Sequence, residues 1–316
     1  MKRFIFSSLL LSGAALAADG DPDLQYGLNA NGTAKIDTSP LGSMLNYETL
    51  AATPGPSGSV YVASSLDMYP GNSVQIAIAR LNYGGKLDPG FGSGGLVRTQ
   101  FAEGSIMNVQ DAFATADGGV VVAILADFVN SYPQMMLCKY AITGQLDATF
   151  GGFSPVAGCQ IVVDSVLLTG YPSGARGRLI ALTPLPDGRF IGAWTHGADT
   201  TNTVIKLARF TAQGTIADDG FGALNDYGIA TLNWPAQVHD LAIDSTGRIV
   251  IAASMQQQDT DTDGVILRFA ADGSFMGSAS FVVDAGTSKR DVINSVAVLP
   301  NDDIVAAGYV DKGTNT

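Results

Sequence analysis

The sequence predicts an all-β protein, a β-propeller built of four-stranded antiparallel blades. Three observations predict it. A unit of about sixty residues recurs along the chain, every copy carries the same turn and loop landmarks, and its second strand is almost continuously apolar. Glycines opening the second strand stand at Gly58, Gly118, Gly188 and Gly247, with Asp302 in the same place in the last copy. The spacings are 60, 70, 59 and 55 residues, and an insertion around Ser165 to Arg178 accounts for the long one.

Each element of the unit has a physical reason. Two residues after the anchor comes a large apolar residue (Val60, Val120, Phe190, Ile249, Ile304), and five after it comes alanine: Ala63, Ala123, Ala193, Ala252, Ala307. A position held small in every copy marks close approach of packed sheets. Before each anchor runs a first strand of mixed apolar and short polar residues, such as Val109 to Phe113, Val238 to Ala242 and Ile293 to Ala297. The pairs Ser57-Gly58, Asp117-Gly118 and Asp187-Gly188 are tight-hairpin chemistry. Third strands follow at Val74 to Arg80, Met135 to Tyr140, Val204 to Phe210 and Val265 to Phe269, ending at Gly85, Gly144, Gly214 and Gly273. Next comes an Asp-x-x-aromatic-Gly loop at Asp88 to Gly92, Asp147 to Gly151 and Asp218 to Gly222. A lone copy stands at the front as Asp23 to Gly27, with Tyr26 as its aromatic residue. Fourth strands begin at Leu96, Cys159 and Ile229, with Thr33 to Ile36 in that place at the front. A β-helix needs a much shorter period, and a sandwich does not explain the returning loop.

Residues 1–17 read as a secretory signal. Met1-Lys2-Arg3 is a positive head, Phe4 to Leu11 an apolar core, and Ala15-Leu16-Ala17 a small-x-small cleavage site. The expected location is therefore exported: periplasmic, cell-surface or extracellular. No later stretch is long and apolar enough for a transmembrane helix. Losing Lys2 and Arg3 leaves 15 basic against 29 acidic residues, a net charge of −14. So acidic a chain repels phosphate backbones, which excludes nucleic acid as a partner. Residues 18–316 show no linker and read as a single propeller domain. The last copy supplies only two strands and the front only a loop and a fourth strand, so the third strand of that blade is encoded at neither end. The expectation is a truncated form of a longer propeller; the alternative is a ring of five blades closed by a three-stranded one.

The combination Ala79-Arg80-Leu81, Gly85-Lys86-Leu87-Asp88 and Phe91-Gly92 resembles the delta-60 repeat family. It recurs as Lys139-Tyr140, Gly144-Gln145-Leu146-Asp147 and Phe150-Gly151, and continues at Arg209-Phe210 and Arg268-Phe269-Ala270-Ala271-Asp272-Gly273. The fourth full copy lacks the Phe-Gly loop. The resemblance implies exported bacterial proteins of propeller type and transfers no catalytic residue or cofactor.

Several residues could carry chemistry. Arg80, Lys139, Arg209 and Arg268 form either a ring of positive charge or, as their repetition favours, ion pairs to the loop aspartates Asp88, Asp147 and Asp218. Phe91, Phe150 and Phe221 read as plugs beneath their own loops rather than an exposed belt. His196 and His239 are the only histidines, so a metal site or Ser-His-Asp triad would rest on one of them. His239-Asp240 is the better candidate, with Asp111 at the matching place of another blade. Asp259, Asp261 and Asp263, followed by Gly264, have the alternating carboxylates of a calcium loop; Ala270 stands where the twelfth-position glutamate belongs, and the other reading is a solvated acidic hairpin tip. Cys138 and Cys159 invite a disulfide in an exported chain. Strand pairing counted from the turn, however, sets Cys138 nearer Ile161, so the bond stays open.

From these readings the expected function is a non-enzymatic exported scaffold offering its loop face to a macromolecule or surface glycan. The alternative is a propeller-type glycoside hydrolase or lyase using the channel-mouth carboxylates Asp111 and Asp240.

Overall fold

The computed structural model describes residues 44–68, 73–101, 106–127, 134–152, 156–162, 180–197, 203–217, 219–222, 228–256, 262–281 and 291–310. The signal segment, the front loop with Tyr26, the insertion near Ser165, and Asp218, Asp259 and Asp261 lie outside the described residues. Contacts divide the chain into two compact units, Met1–Ile124 with Cys138–Ala148 and Leu125–Leu137 with Thr149–Thr316.

Every sheet is an antiparallel meander. The first holds β1 (Met44–Pro54), β2 (Val60–Met68), β3 (Ser73–Leu81) and β4 (Leu96–Gln100) in that order. The second holds β5 (Ile106–Ala114), β6 (Val120–Asp127), β7 (Gln134–Tyr140) and β8 (Cys159–Ile161). The third holds β9 (Ile180–Pro184), β10 (Phe190–Gly197), β11 (Thr203–Phe210) and β12 (Ile229–Leu232). The fourth holds β13 (Ala236–Ile243), β14 (Ile249–Gln256), β15 (Thr262–Phe269) and β16 (Phe275–Phe281). The fifth has two strands, β17 (Asp291–Val298) and β18 (Ile304–Val310). No α-helix occurs among the described residues. These are the blades of an all-β propeller, as the repeat predicts.

The hairpin anchors behave as expected. Gly58, Gly118, Gly188 and Gly247 take φ of 73°, 83°, 86° and 83°, and Asp302, their counterpart, takes 65°. Tight turns between right-twisted strands need this left-handed region, which favours glycine.

Burial on both faces explains the apolar second strands. In the second unit, Ile191, Ala193, Ile205 and Leu207 of the third sheet pack with Val238, Leu241, Ile251 and Leu267 of the fourth. The opposite face of the fourth sheet, Val250, Ala252 and Ile266, meets Ile293 and Val296 of the fifth. Ala63, Ala123, Ala193 and Ala252 are at most 1% exposed, which bears out the close approach. Ala307 is a correction: it is exposed, on a strand that among the described residues pairs only with β17.

A hook joins successive copies. Gly92 donates its N–H to the Thr143 carbonyl (2.9 Å), Gly151 to Gln213 (2.7 Å) and Gly222 to Asp272 (2.8 Å). In each case the loop glycine of one copy reaches the turn of the next. The fourth copy has no such loop. Its chain runs straight from the Gly273 turn into β16, a fourth strand that the missing Phe-Gly signature had hidden. Its link to the fifth sheet is instead Ser245, whose N–H and hydroxyl both donate to the Asp302 carboxylate, at 2.9 and 2.6 Å.

Both cysteines are disulfide-bonded and none is free. The sister sheets show why. β3 pairs Ala79 with Leu96 and β11 pairs Ala208 with Ile229, and Cys138 and Cys159 occupy these same two places on β7 and β8. Counting outward from the turn overruns the register, since the loop bulges out before the fourth strand begins.

Candidate functional site at the inner-strand seam

The repeated basic residues are structural. Arg80, 7% exposed, bonds Asp88 through Nε at 2.9 Å and the Ile142 carbonyl through a terminal nitrogen at 2.7 Å. Its guanidinium lies 5.1 Å from the Phe91 centroid. Burial alone would lower its pKa, but Tyr61 and Asp88 outweigh this and raise it. Lys139 spans Asp117 (2.7 Å) and Asp147 (3.1 Å). Arg209 pairs with Asp219 at 2.8 Å, one residue beyond the partner expected from the loop signature. Phe91, Phe150 and Phe221 are 0%, 2% and 1% exposed, which makes them plugs.

The first strands carry the chemistry that the repeat does not share. Seven residues before the anchor stand Ala51, Asp111, Ala181, Asp240 and Ser295, and eight before it Leu50, Gln110, Ile180, His239 and Asn294. The register of β13 against β14 slips between Val238 and Asp240, so His239 is the extra residue of a β-bulge. Bulges re-aim side chains. Here the imidazole turns to the second strand, where His239 Nε2 and Ser254 Oγ lie 2.6 Å apart.

Ser254 sits seven residues after its anchor, as Ser65 and Thr195 do. Those two hydroxyls accept the Val109 and Val238 backbone N–H groups, at 2.8 and 2.9 Å, and so fasten neighbouring sheets. At Ser254 the same slot also holds an imidazole. The recurring hydroxyl is legible in the sequence, but its meeting with His239 is not.

Asp240 and Ser295 complete the seam. Asp240 Oδ1 accepts the Leu241 N–H (2.9 Å), while Oδ2 accepts the Ser295 hydroxyl (2.6 Å) and the Val296 N–H (3.0 Å) of β17. Asp291, at the start of β17, is 5% exposed. Asp111 belongs to the other unit, is 7% exposed and accepts the Ala112 N–H at 2.9 Å. The structure thus pairs His239 with Ser254 and Asp240 with Ser295, from two successive residues of β13. The imidazole–hydroxyl pair can pass a proton either way, according to its tautomer.

His196 stands half-buried at the end of β10, on a different sheet from His239. Among the described residues no three His, Cys, Asp or Glu side chains gather as a metal site. Of the calcium candidates only Asp263 is described, half-buried on β15 opposite Met255. No described helix is long and apolar enough to cross a membrane.

Solved structures resemble the chain at low identity. A protein of unknown function from Dyadobacter fermentans is 10% identical over 84% of this chain and 79% of its own, with a TM-score of 0.48. An α-L-arabinofuranosidase from Clostridium thermocellum is 11% identical over 79% and 78%, with a TM-score of 0.39. A β-xylosidase/α-arabinofuranosidase from a compost microbial metagenome is 13% identical over 82% and 83%, with a TM-score of 0.41. No curated protein matches the chain. The names of the last two structures correct one expectation. The expected function was a non-enzymatic scaffold, and chains resembling this one bear the names of glycoside-cleaving enzymes. The non-enzymatic scaffold is therefore withdrawn. A family model described as a domain of unknown function (DUF5122) beta-propeller matches residues 55–91 and 245–275, so the chain carries β-propeller repeats.

Proposed function

We propose that this chain is an exported propeller of the delta-60 kind that cleaves glycosidic bonds by hydrolysis, at the seam of β13, β14 and β17. The observation that supports this reading is a break in symmetry. The hydroxyl that elsewhere fastens two sheets meets an imidazole at Ser254, and the carboxylate Asp240 is the next residue of the same inner strand as His239. Sites that act on a ligand break internal repetition, whereas scaffolding preserves it. His239 moves the proton, and Ser254 fixes the orientation of its ring. Asp240 holds β17 against β13 through two accepted hydrogen bonds, from the Ser295 hydroxyl and the Val296 N–H, which keeps the floor of the site rigid. The acidic chain favours neutral glycans over polyuronates, which it repels.

The test is a panel of neutral and acidic polysaccharides. Released reducing ends report hydrolysis. Turnover is expected on neutral glycans, and His239→Ala lowers it by about 10²–10⁴-fold, the usual contribution of a positioned proton-transfer group. No product from any glycan, or turnover unchanged in a folded His239→Ala protein, defeats the proposal.

A further inference from the structure

The repeat carries a clamp that the fourth sheet has lost. Seven residues after the anchor, Ser65 and Thr195 accept the N–H of Val109 and Val238 in the next sheet, at 2.8 and 2.9 Å. The corresponding N–H at Ser254 belongs to Ile293, which stands nine residues before Asp302 as Val109 and Val238 stand nine before Gly118 and Gly247. Among the described residues Ser254 accepts no bond from it. The one hydrogen-bond partner of its hydroxyl is His239 Nε2, at 2.6 Å. We infer that Ser254 and His239 form a nucleophile–base pair that hydrolyses short acyl esters, an activity beyond glycosidic cleavage and independent of it.

A second departure at the same place supports the pair. The residue facing the hydroxyl across the sheet is Ile76 for Ser65 and Ile205 for Thr195, but Gly264 for Ser254. A Cβ on Gly264 would stand 2.8 Å from Ile293 Cγ1 and 3.4 Å from Ile293 N. The missing side chain lets the backbone of β17 come close beside Ser254, and brings with it the N–H released from the clamp. His239, Ser254, Gly264 and Ile293 all belong to the second unit.

These groups can carry out acyl transfer. With its proton on Nδ1, the imidazole accepts the Ser254 hydroxyl through Nε2. Ser254 Oγ adds to the carbonyl carbon of an ester while Nε2 takes its proton, and the Ile293 N–H donates to the oxyanion. The bond from that carbon to the alcohol oxygen breaks, and the alcohol leaves with the proton from Nε2. Water attacks the acyl-serine in the same way, its proton passing through Nε2 to Ser254 Oγ, and the carboxylic acid departs. Ser254 and His239 are 5% and 6% exposed, so only a short acyl group such as acetyl reaches the hydroxyl. The alcohol is uncharged, because a chain with 29 acidic against 17 basic residues repels an anionic one. Under the glycan reading above it is a sugar hydroxyl.

The probes are p-nitrophenyl acetate and a neutral acetylated sugar, glucose pentaacetate, with a fluorophosphonate to trap the serine. Release of p-nitrophenol and of acetate is expected, and mass spectrometry should find the phosphonyl group on the peptide that carries Ser254. A merely structural hydroxyl forms no such adduct. Ser254→Ala abolishes it, and His239→Ala lowers acetate release by about 10²–10⁴-fold. Ser254→Cys serves where the alanine variant does not fold. Both native cysteines are disulfide-bonded, so the new thiol is the only free one. The p-nitrophenyl ester should acylate it faster than in Ser254→Cys with His239→Ala. No ester hydrolysis, an adduct at another residue, or a thiol whose acylation ignores His239 overturns the inference. Reducing ends without acetate release overturn this inference alone, and acetate release without reducing ends overturns only the glycosidic one.

Discussion

Phe221→Ala probes how the copies are locked together. The ring is 1% exposed, and a Cβ placed on Gly273, in the turn of the next sheet, would stand 2.9 Å from it. Deleting a buried phenylalanine costs about 3–5 kcal/mol. The Arg209 guanidinium, 4.9 Å from the ring centroid, adds about 0.5–1 kcal/mol of cation–π attraction. A loss of about 4 kcal/mol is therefore expected in urea denaturation followed by both tryptophan fluorescence and circular dichroism. Gly273→Ala supplies the second arm. Its φ of +86° penalises any side chain by about 1–2 kcal/mol, and overlap with the Phe221 ring adds about 1–3 kcal/mol. In the Phe221→Ala background the overlap with the ring is gone, leaving the backbone strain and a 3.1 Å approach to the Ala230 Cβ. The double mutant should thus be more stable than the sum of the singles by about 1–3 kcal/mol. Additivity within about 0.5 kcal/mol, or a Phe221→Ala cost below about 1 kcal/mol, would refute the plug and restore the aromatic residue to the surface.

Two further perturbations test the frame. Replacing Cys138 and Cys159 by alanine removes a cross-link that closes a loop of about twenty residues and should cost about 3 kcal/mol; an unchanged urea midpoint would show that the bond constrains nothing. Asp244 is buried, which pushes its carboxyl up, but hydrogen bonds from Thr246 and Arg248 outweigh this and hold it at about 2 against an ordinary 3.8. A depressed carboxylate contributes its full stability above the ordinary value and loses it as pH falls through the folded one. Unfolding free energy should drop between 3.8 and about 2, and Asp244→Asn should flatten that drop; the same slope in the variant would exonerate Asp244.

The parts of this fold that the sequence makes legible are those set by local chemistry. The anchor glycines mark hairpins because only a residue tolerant of positive φ can turn there, and the strands follow from their apolar runs. The plugs Phe91, Phe150 and Phe221 were readable because an aromatic residue before glycine in a short loop has nowhere to go but inward. What escaped was set by partners far along the chain. Ala307 shares its motif position with four buried alanines, yet burial depends on a sheet that its own sequence does not describe. β16 lacked the loop signature and formed regardless, since β15 offered it a free edge. The same limit applies at the seam. His239 was noticed as one of two histidines, but the slipped register that turns it to Ser254 is a property of two strands together. Asp240, a catalytic carboxylate only in the alternative enzymatic reading, is occupied by donors from β17.

The three hooks all point one way along the chain. Gly92, Gly151 and Gly222 find their carbonyl acceptors at Thr143, Gln213 and Asp272, about fifty to sixty residues later. During synthesis, then, a copy that has left the ribosome still holds an unanswered loop N–H and an uncovered aromatic ring. Both are satisfied only when the turn of its successor arrives. Maturation is vectorial: each repeat is finished by the next, and a chain halted inside one repeat weakens the repeat before it as well. The seam that lacks a hook, between the fourth and fifth sheets, rests on Asp302 and Asp240, and it is the joint that should part first when the chain is pulled.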